Sequence, residues 1–229
     1  MGKRPLPVYA LILLALGLIL TVGSVGTAAS VTILPGTTTT PAENYFPLTL
    51  GNQWHFRVQV AGQTLWMTYI ATDKAFIDGV ATVTFETRVN DLPQTRENYQ
   101  ITGDGVFTVL RQMQLYSFKF NPKQILLKYP VVSGDAWEQI GSFGDASKNA
   151  TFQYQQKCRY VGFEDVQVPA GNFRAIKLAL DLVASDGSHI QGFRYFSQDV
   201  GLIKEDLTMT VNQQRVALLS ELDSYQLAK

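Results

Sequence analysis

After Gln53 the chain alternates. Trp54, Phe56, Val58 and Val60 fall on one side of an extended backbone, and His55, Arg57 and Gln59 on the other, the period of two that marks a strand with one buried face. The alternation returns in Val83, Phe85 and Val89 against Thr84, Glu86 and Arg88, and in Phe152, Tyr154, Cys158 and Tyr160 against Gln153, Gln155, Lys157 and Arg159. Tyr116/Phe118/Phe120, Ile176/Leu178/Leu180/Leu182 and Leu207/Met209/Val211 repeat it. Turn formers separate the runs at Ala61-Gly62, Asp78-Gly79, Asp104-Gly105, Asn121-Pro122, Gly144-Asp145, Pro169-Ala170-Gly171 and Asp186-Gly187. Strands are therefore predicted near 53–60, 64–72, 80–89, 95–102, 106–112 and 115–120, then near 137–143, 149–163, 172–184, 189–197, 201–212 and 215–226. Val216 to Tyr225 also fits an amphipathic helix, but the run before it favours a strand. The expected fold is all-β, an antiparallel meander of about twelve strands forming a curved half-barrel or open barrel.

Two signatures occur twice, in the same order. Phe46-Pro47-Leu48-Thr49-Leu50-Gly51-Asn52-Gln53-Trp54 is repeated without a gap by Tyr129-Pro130-Val131-Val132-Ser133-Gly134-Asp135-Ala136-Trp137. Tyr99 precedes Gly105-Val106-Phe107 as Tyr195 precedes Gly201-Leu202-Ile203. Proline withholds a ladder donor and suits a chain joining a sheet, Gly with Asn or Asp accepts the turn that redirects it, and Trp then fills the interior. The pattern predicts an internal duplication with halves at about 43–122 and 123–229.

The N-terminus has a different character. Lys3 and Arg4 precede an apolar run from Val8 to Val22, followed by the small residues of GSVGTAAS, the order of an export signal at residues 1–29. Cleavage after Ala29 competes with retention as a membrane anchor, since residues 8–34 carry no charge and about 20 apolar residues span a bilayer. The criteria lean toward cleavage, and both readings export the rest. Residues 30–42, rich in Thr and Pro, read as a linker, and 43–229 as a single β domain. The expected location is extracytoplasmic: periplasm, cell surface or secreted.

Composition removes several classes. Lys+Arg and Asp+Glu number 19 each, so no excess positive charge points to nucleic acid. Charged residues make up 17% of the chain, against about 25% in ordinary soluble domains, and aromatic residues 11%. With one cysteine, Cys158, neither a disulfide scaffold nor a zinc site built from several cysteines can form, and no cysteine follows the apolar run to carry a lipid. Cys158 reads as a small buried hydrophobe.

Three segments, YFPLTLGNQWHF near the start, VQVPAGNFRAIKL from Val166 to Leu178 and YFSQDVGLIKED from Tyr195 to Asp206, resemble a group of exported bacterial proteins of unknown function. In that group PLxxGxxW, VPAGxF and YxxxxxGxxK blocks recur, and its sheets are similar to the half-barrels of periplasmic lipoprotein carriers. Phe196 stands where the group usually has Trp. The resemblance implies a curved sheet that holds acyl chains or other apolar ligands on its concave face, and it defines no catalytic residues. Val168-Pro169-Ala170-Gly171 also reads locally as a type I turn, with Lys177 beyond it on the solvent side.

Chemistry is sparse. His55 and His189 sit beside polar residues and read as surface histidines, and no HExxH, GxSxG, phosphate loop or dinucleotide fingerprint is present. Glu164-Asp165 and Glu205-Asp206 place neighbouring carboxylates on opposite faces of a strand, the wrong geometry for a hydrolase pair; carboxylates from distant strands stay open. No cofactor, metal or catalytic residue is expected. The leading expectation is a non-enzymatic extracytoplasmic domain binding a lipid, another hydrophobic ligand or a partner segment. The ligand-binding candidates are Trp54, Phe56, Val58, Phe85, Trp137, Phe152, Tyr154 and Tyr160. The alternatives are an envelope scaffold or interaction module with a filled core and, third, a hydrolase with an unrecognised carboxylate site.

Overall fold

The structure is a computed structural model that describes residues 44–113, 116–211 and 213–228; the expected signal or anchor (1–29) and linker (30–42) lie outside the described residues. The strands are β1 (Gln53–Val60), β2 (Gln63–Ile77), β3 (Val80–Val89), β4 (Leu92–Thr102), β5 (Gly105–Met113), β6 (Tyr116–Lys128), β7 (Ala136–Asp145), β8 (Ala150–Val168), β9 (Gly171–Ala184), β10 (His189–Ser197), β11 (Gly201–Val211) and β12 (Gln214–Gln226). Each pairs antiparallel with the next, and β12 returns to β1, so the meander closes into a barrel. Closure leaves no free sheet edge except where β6 and β7 part beyond Asn121 and Ser142. The C-terminal run is a strand, and β6 continues past the turn expected at Asn121-Pro122. Pro122 has no N–H to give β7, whose pairing with β6 ends at Asn121 and Ser142, but on its other edge β6 goes on beside β5 to Lys128.

The period of two sets the inside and the outside. In β8 Tyr154, Gln156, Cys158 and Tyr160 are buried while Gln155, Lys157 and Arg159 are exposed. In β1 Trp54, Phe56, Val58 and Val60 face in. Polar-out and apolar-in is the reverse of a barrel that faces lipid, which needs an apolar outer band. Among the described residues no helix is long and apolar enough to cross a membrane.

The repeated sequence signature is repeated in hydrogen bonds. Gly51 N–H donates to Ala71 O (2.8 Å) and Ala71 N–H to Asn52 O (3.0 Å); Gly134 N–H donates to Tyr160 O (2.7 Å) and Tyr160 N–H to Asp135 O (2.8 Å). Gly51 and Gly134 both have φ near +90°, at +89° and +94°, a conformation that side chains with a Cβ rarely adopt. The two lead-ins thus dock β1 on β2 and β7 on β8 in the same way.

The antiparallel order brings both lead-ins to one end of the barrel, together with the hairpin after Val168. Phe46 enters that end and packs on Phe85 and Tyr99. Trp54 Nε1 donates to Val200 O (2.6 Å), and a Cβ on Gly201 would meet Pro47 Cδ at 3.2 Å. The VPAG turn folds over the rim, where Ala170 N–H donates to Leu222 O of β12 (3.0 Å).

Candidate binding site in the barrel lumen

Beyond Asn121 and Ser142, side chains take over the join between β6 and β7. Gln139 of β7 accepts from Ile125 N–H (2.9 Å) and donates to Lys123 O (2.7 Å). Gln156 of β8 donates to Ile125 O (2.7 Å) and accepts from Gln124 Nε2 (2.8 Å). Tyr160 Oη donates to Lys128 O (2.7 Å) and accepts from Lys128 N–H (3.0 Å). These three inward side chains do for β6 what a neighbouring backbone would do, pairing Lys123 O and both backbone groups of Ile125 and Lys128.

Inside lies a cavity of about 100 Å³. Its walls include Trp54, Phe56, Phe85 and Tyr154, and also Phe118, Phe120, Phe143 and Leu180. Val58 and Tyr160 are buried in the core but do not line the cavity. Trp137 and Phe152 are half-buried and also off the wall, packed on Tyr160 and Phe143 respectively. A pocket for a drug-sized ligand has about 300–1,000 Å³. The concave face is therefore largely filled by its own side chains.

The cavity also holds charge, and sequence reasoning missed it. Glu97 of β4 accepts from Arg111 Nε of β5 and from Tyr99 Oη. Arg194 Nε of β10 donates to Glu205 Oε1 of β11 (2.8 Å). Both are directly facing cross-strand pairs in the corresponding hairpins of the two halves, with the order of charge reversed. Both carboxylates are nearly buried, with 5% of each side chain exposed. Burial pushes the Glu205 carboxyl above its ordinary range; Arg194 opposes this and Glu97 adds to it. Burial likewise raises the Tyr69 hydroxyl of β2 well above its usual value, with Glu205 and Glu97 adding and the two arginines opposing. Tyr69 thus lies within electrostatic reach of all four charges. One signal was available in the sequence. Glu205 falls in phase with Ile203, Leu207 and Met209, and Gln156 in phase with Tyr154 and Cys158, so a polar residue occupies an inward position.

The remaining chemistry faces outward or is inert. His55 Nδ1 lies 3.0 Å from Thr68 Oγ1, and His189 Nε2 lies 2.8 Å from Asp181 Oδ1. Asp206 is exposed while Glu205, its neighbour, is buried. Burial pushes the Cys158 thiol up to about 12. Lys177, expected in solvent, is partly covered: its Nζ sits 4.3 Å from the Phe193 ring centre and 3.6 Å from Glu164, because the outer face of β9 and β10 carries its own aromatic residues. No group of three or more His, Cys, Asp and Glu suited to a metal ion occurs among the described residues.

No protein-family model matches the sequence, and no curated protein matches it. Solved structures do. One from Parabacteroides distasonis, described as a lipoprotein, aligns with a TM-score of 0.50 and 14% identity over 82% of this chain and 100% of that one. One from Bacteroides fragilis, described as an exported protein with a YmcC-like fold, aligns with a TM-score of 0.51 and 14% identity over 81% of this chain and 100% of that one. At this identity the likeness is one of fold.

Proposed function

We propose that the protein is an exported, extracytoplasmic β-barrel module that works without catalysis, as an envelope interaction domain with a mostly filled core. The observation that carries this reading is the lumen: inward side chains leave about 100 Å³, and the buried charges neutralise one another in pairs. Export is supported by Lys3 and Arg4 ahead of the apolar run, and by the exported and lipoprotein descriptions of the two structures of similar fold. A hydrolase is disfavoured because Glu97 and Glu205, the carboxylates that distant strands do bring into one cavity, are each tied to an arginine.

A second reading, a carrier of an apolar ligand, draws on the aromatic wall of Trp54, Phe56, Phe85 and Tyr154 and on the side-chain seam beside it, where Gln124, Ile125 and Gln156 also line the cavity. Trp137, Phe152, Val58 and Tyr160 would join such a site only if the lumen widened. Native mass spectrometry of protein purified from the bacterial envelope separates the two. Ligand-free protein is the expected result, and stoichiometric co-purified lipid would overturn the filled-core reading in favour of the carrier.

A further inference from the structure

The lumen holds more hydrogen-bond donors than acceptors. Arg111 and Arg194 each give Nε to their glutamate, and among the described residues the terminal nitrogens of both guanidinium groups have no partner. The Tyr69 hydroxyl, on the same cavity, has none either. The Tyr154 hydroxyl is buried in the wall without a hydrogen bond. On the acceptor side, both Glu97 oxygens are already taken, by Arg111 and Tyr99, and Glu205 gives Oε1 to Arg194, which leaves Glu205 Oε2 as the one carboxylate oxygen of the two pairs without a hydrogen bond among the described residues. Of these donors only the Tyr154 hydroxyl is fully buried; the guanidinium ends, on side chains 13% and 20% exposed, and the Tyr69 hydroxyl are open to an acceptor in the lumen, and a planar guanidinium fork matches a carboxylate.

Size and charge narrow the ligand. A cavity of about 100 Å³ is well below the roughly 300 Å³ at which drug-sized pockets begin, so it favours a small occupant. Two arginines and two glutamates sum to zero, so a single negative charge loads the cluster less than a phosphate dianion would. Phe120 and Phe143 offer an apolar wall, with the Arg111 guanidinium 5.4 Å from the Phe120 ring centre.

We propose that the lumen is a binding site for a short-chain monocarboxylate, its oxygens held by Arg111, Arg194 and Tyr69 and its tail against Phe120 and Phe143. The inference goes beyond the interaction-module reading and does not depend on it. Titration calorimetry on the purified full-length protein tests it, with butyrate as the probe and 1-butanol and butylammonium as size-matched controls. Saturable binding of butyrate with one site per chain, and none of either control, is expected. Tyr69→Phe removes one donor and unpairs no charge, so it should weaken butyrate about tenfold while the melting temperature confirms a folded barrel. Arg194→Lys, which keeps the charge and loses the fork, should weaken it at least as much. Equal binding of 1-butanol, or no heat and no thermal shift with butyrate, overturns the proposal and leaves the module reading standing. Tighter binding of decanoate than of butyrate overturns the short-chain limit and supports the carrier instead.

Discussion

Between β12 and β1 the barrel is closed by backbone along the whole of β1, from Gln53 against Gln226 to Val60 against Leu218. Between β6 and β7 backbone pairing is confined to Lys119, Phe120 and Asn121 against Gly144, Phe143 and Ser142, and Gln139, Gln156 and Tyr160 supply the rest. The two seams join the same two halves, and the lead-ins beside them dock with matching hydrogen bonds, so the difference lies in the side chains and not in the plan of the fold. A backbone ladder tolerates many sequences, whereas a side-chain seam depends on particular residues of the right length. Both seams reach the cavity, the first through Trp54 and Phe56 of β1 and the second through Gln124 and Ile125 of β6.

The halves differ again in their ion pairs, Glu97 before Arg111 in the first and Arg194 before Glu205 in the second. Arg111→Met and Arg194→Met should each leave a buried carboxylate unpaired and cost about 3–5 kcal/mol in urea unfolding. Replacing both members of either pair by apolar residues should recover most of that loss. A cost below about 1 kcal/mol for one arginine alone would break the equivalence of the two hairpins.

Gln139→Leu probes the seams directly. It leaves Lys123 O and Ile125 N–H without their partner and should cost about 2–4 kcal/mol. Cys158, the sole cysteine and a wall residue of the cavity, reports opening through its rate of labelling by a small thiol reagent. Labelling should be faster in Gln139→Leu than in Val58→Ala, a β1 variant, when the two are compared at equal overall stability. Equal rates would mean that the seams open alike.

A smaller effect follows from pH. Glu205 holds its proton more tightly folded than unfolded, so its share of stability is complete below about 4.5 and is lost as pH rises through its raised folded value. The stability of the wild type relative to Glu205→Gln should therefore fall as pH rises through that window, read from melting temperatures. A flat difference would show that Arg194 fully offsets the burial. Smallest of all, His55→Ala and His189→Ala on the outer face should each change stability by less than about 0.5 kcal/mol.

Much of the fold was legible because its signals are local. The alternation of Trp54 to Val60 and the turn at Ala61-Gly62 delimit β1 in the structure as in the sequence. The tail of β6 was not legible, since Asn121-Pro122 looks like a turn and only the presence of β5 keeps the strand going. The candidate site was legible in part. Trp54, Phe56, Phe85 and Tyr154 carry an inward phase that leads to the cavity, while Trp137 and Phe152 share the phase but lie away from it.

By itself the sequence determined which residues face inward, where the strands turn and that two Trp-led lead-ins repeat, because period, turn chemistry and glycine conformation act within a few residues. The tertiary structure decided that the sheet closes, that glutamines and a tyrosine stand in for a ladder between β6 and β7, and that Glu97, Arg111, Arg194 and Glu205 share one lumen with Tyr69. Each ion pair is set by its own hairpin, but the two pairs and Tyr69 meet only because closure brings strands far apart in the chain onto one lumen.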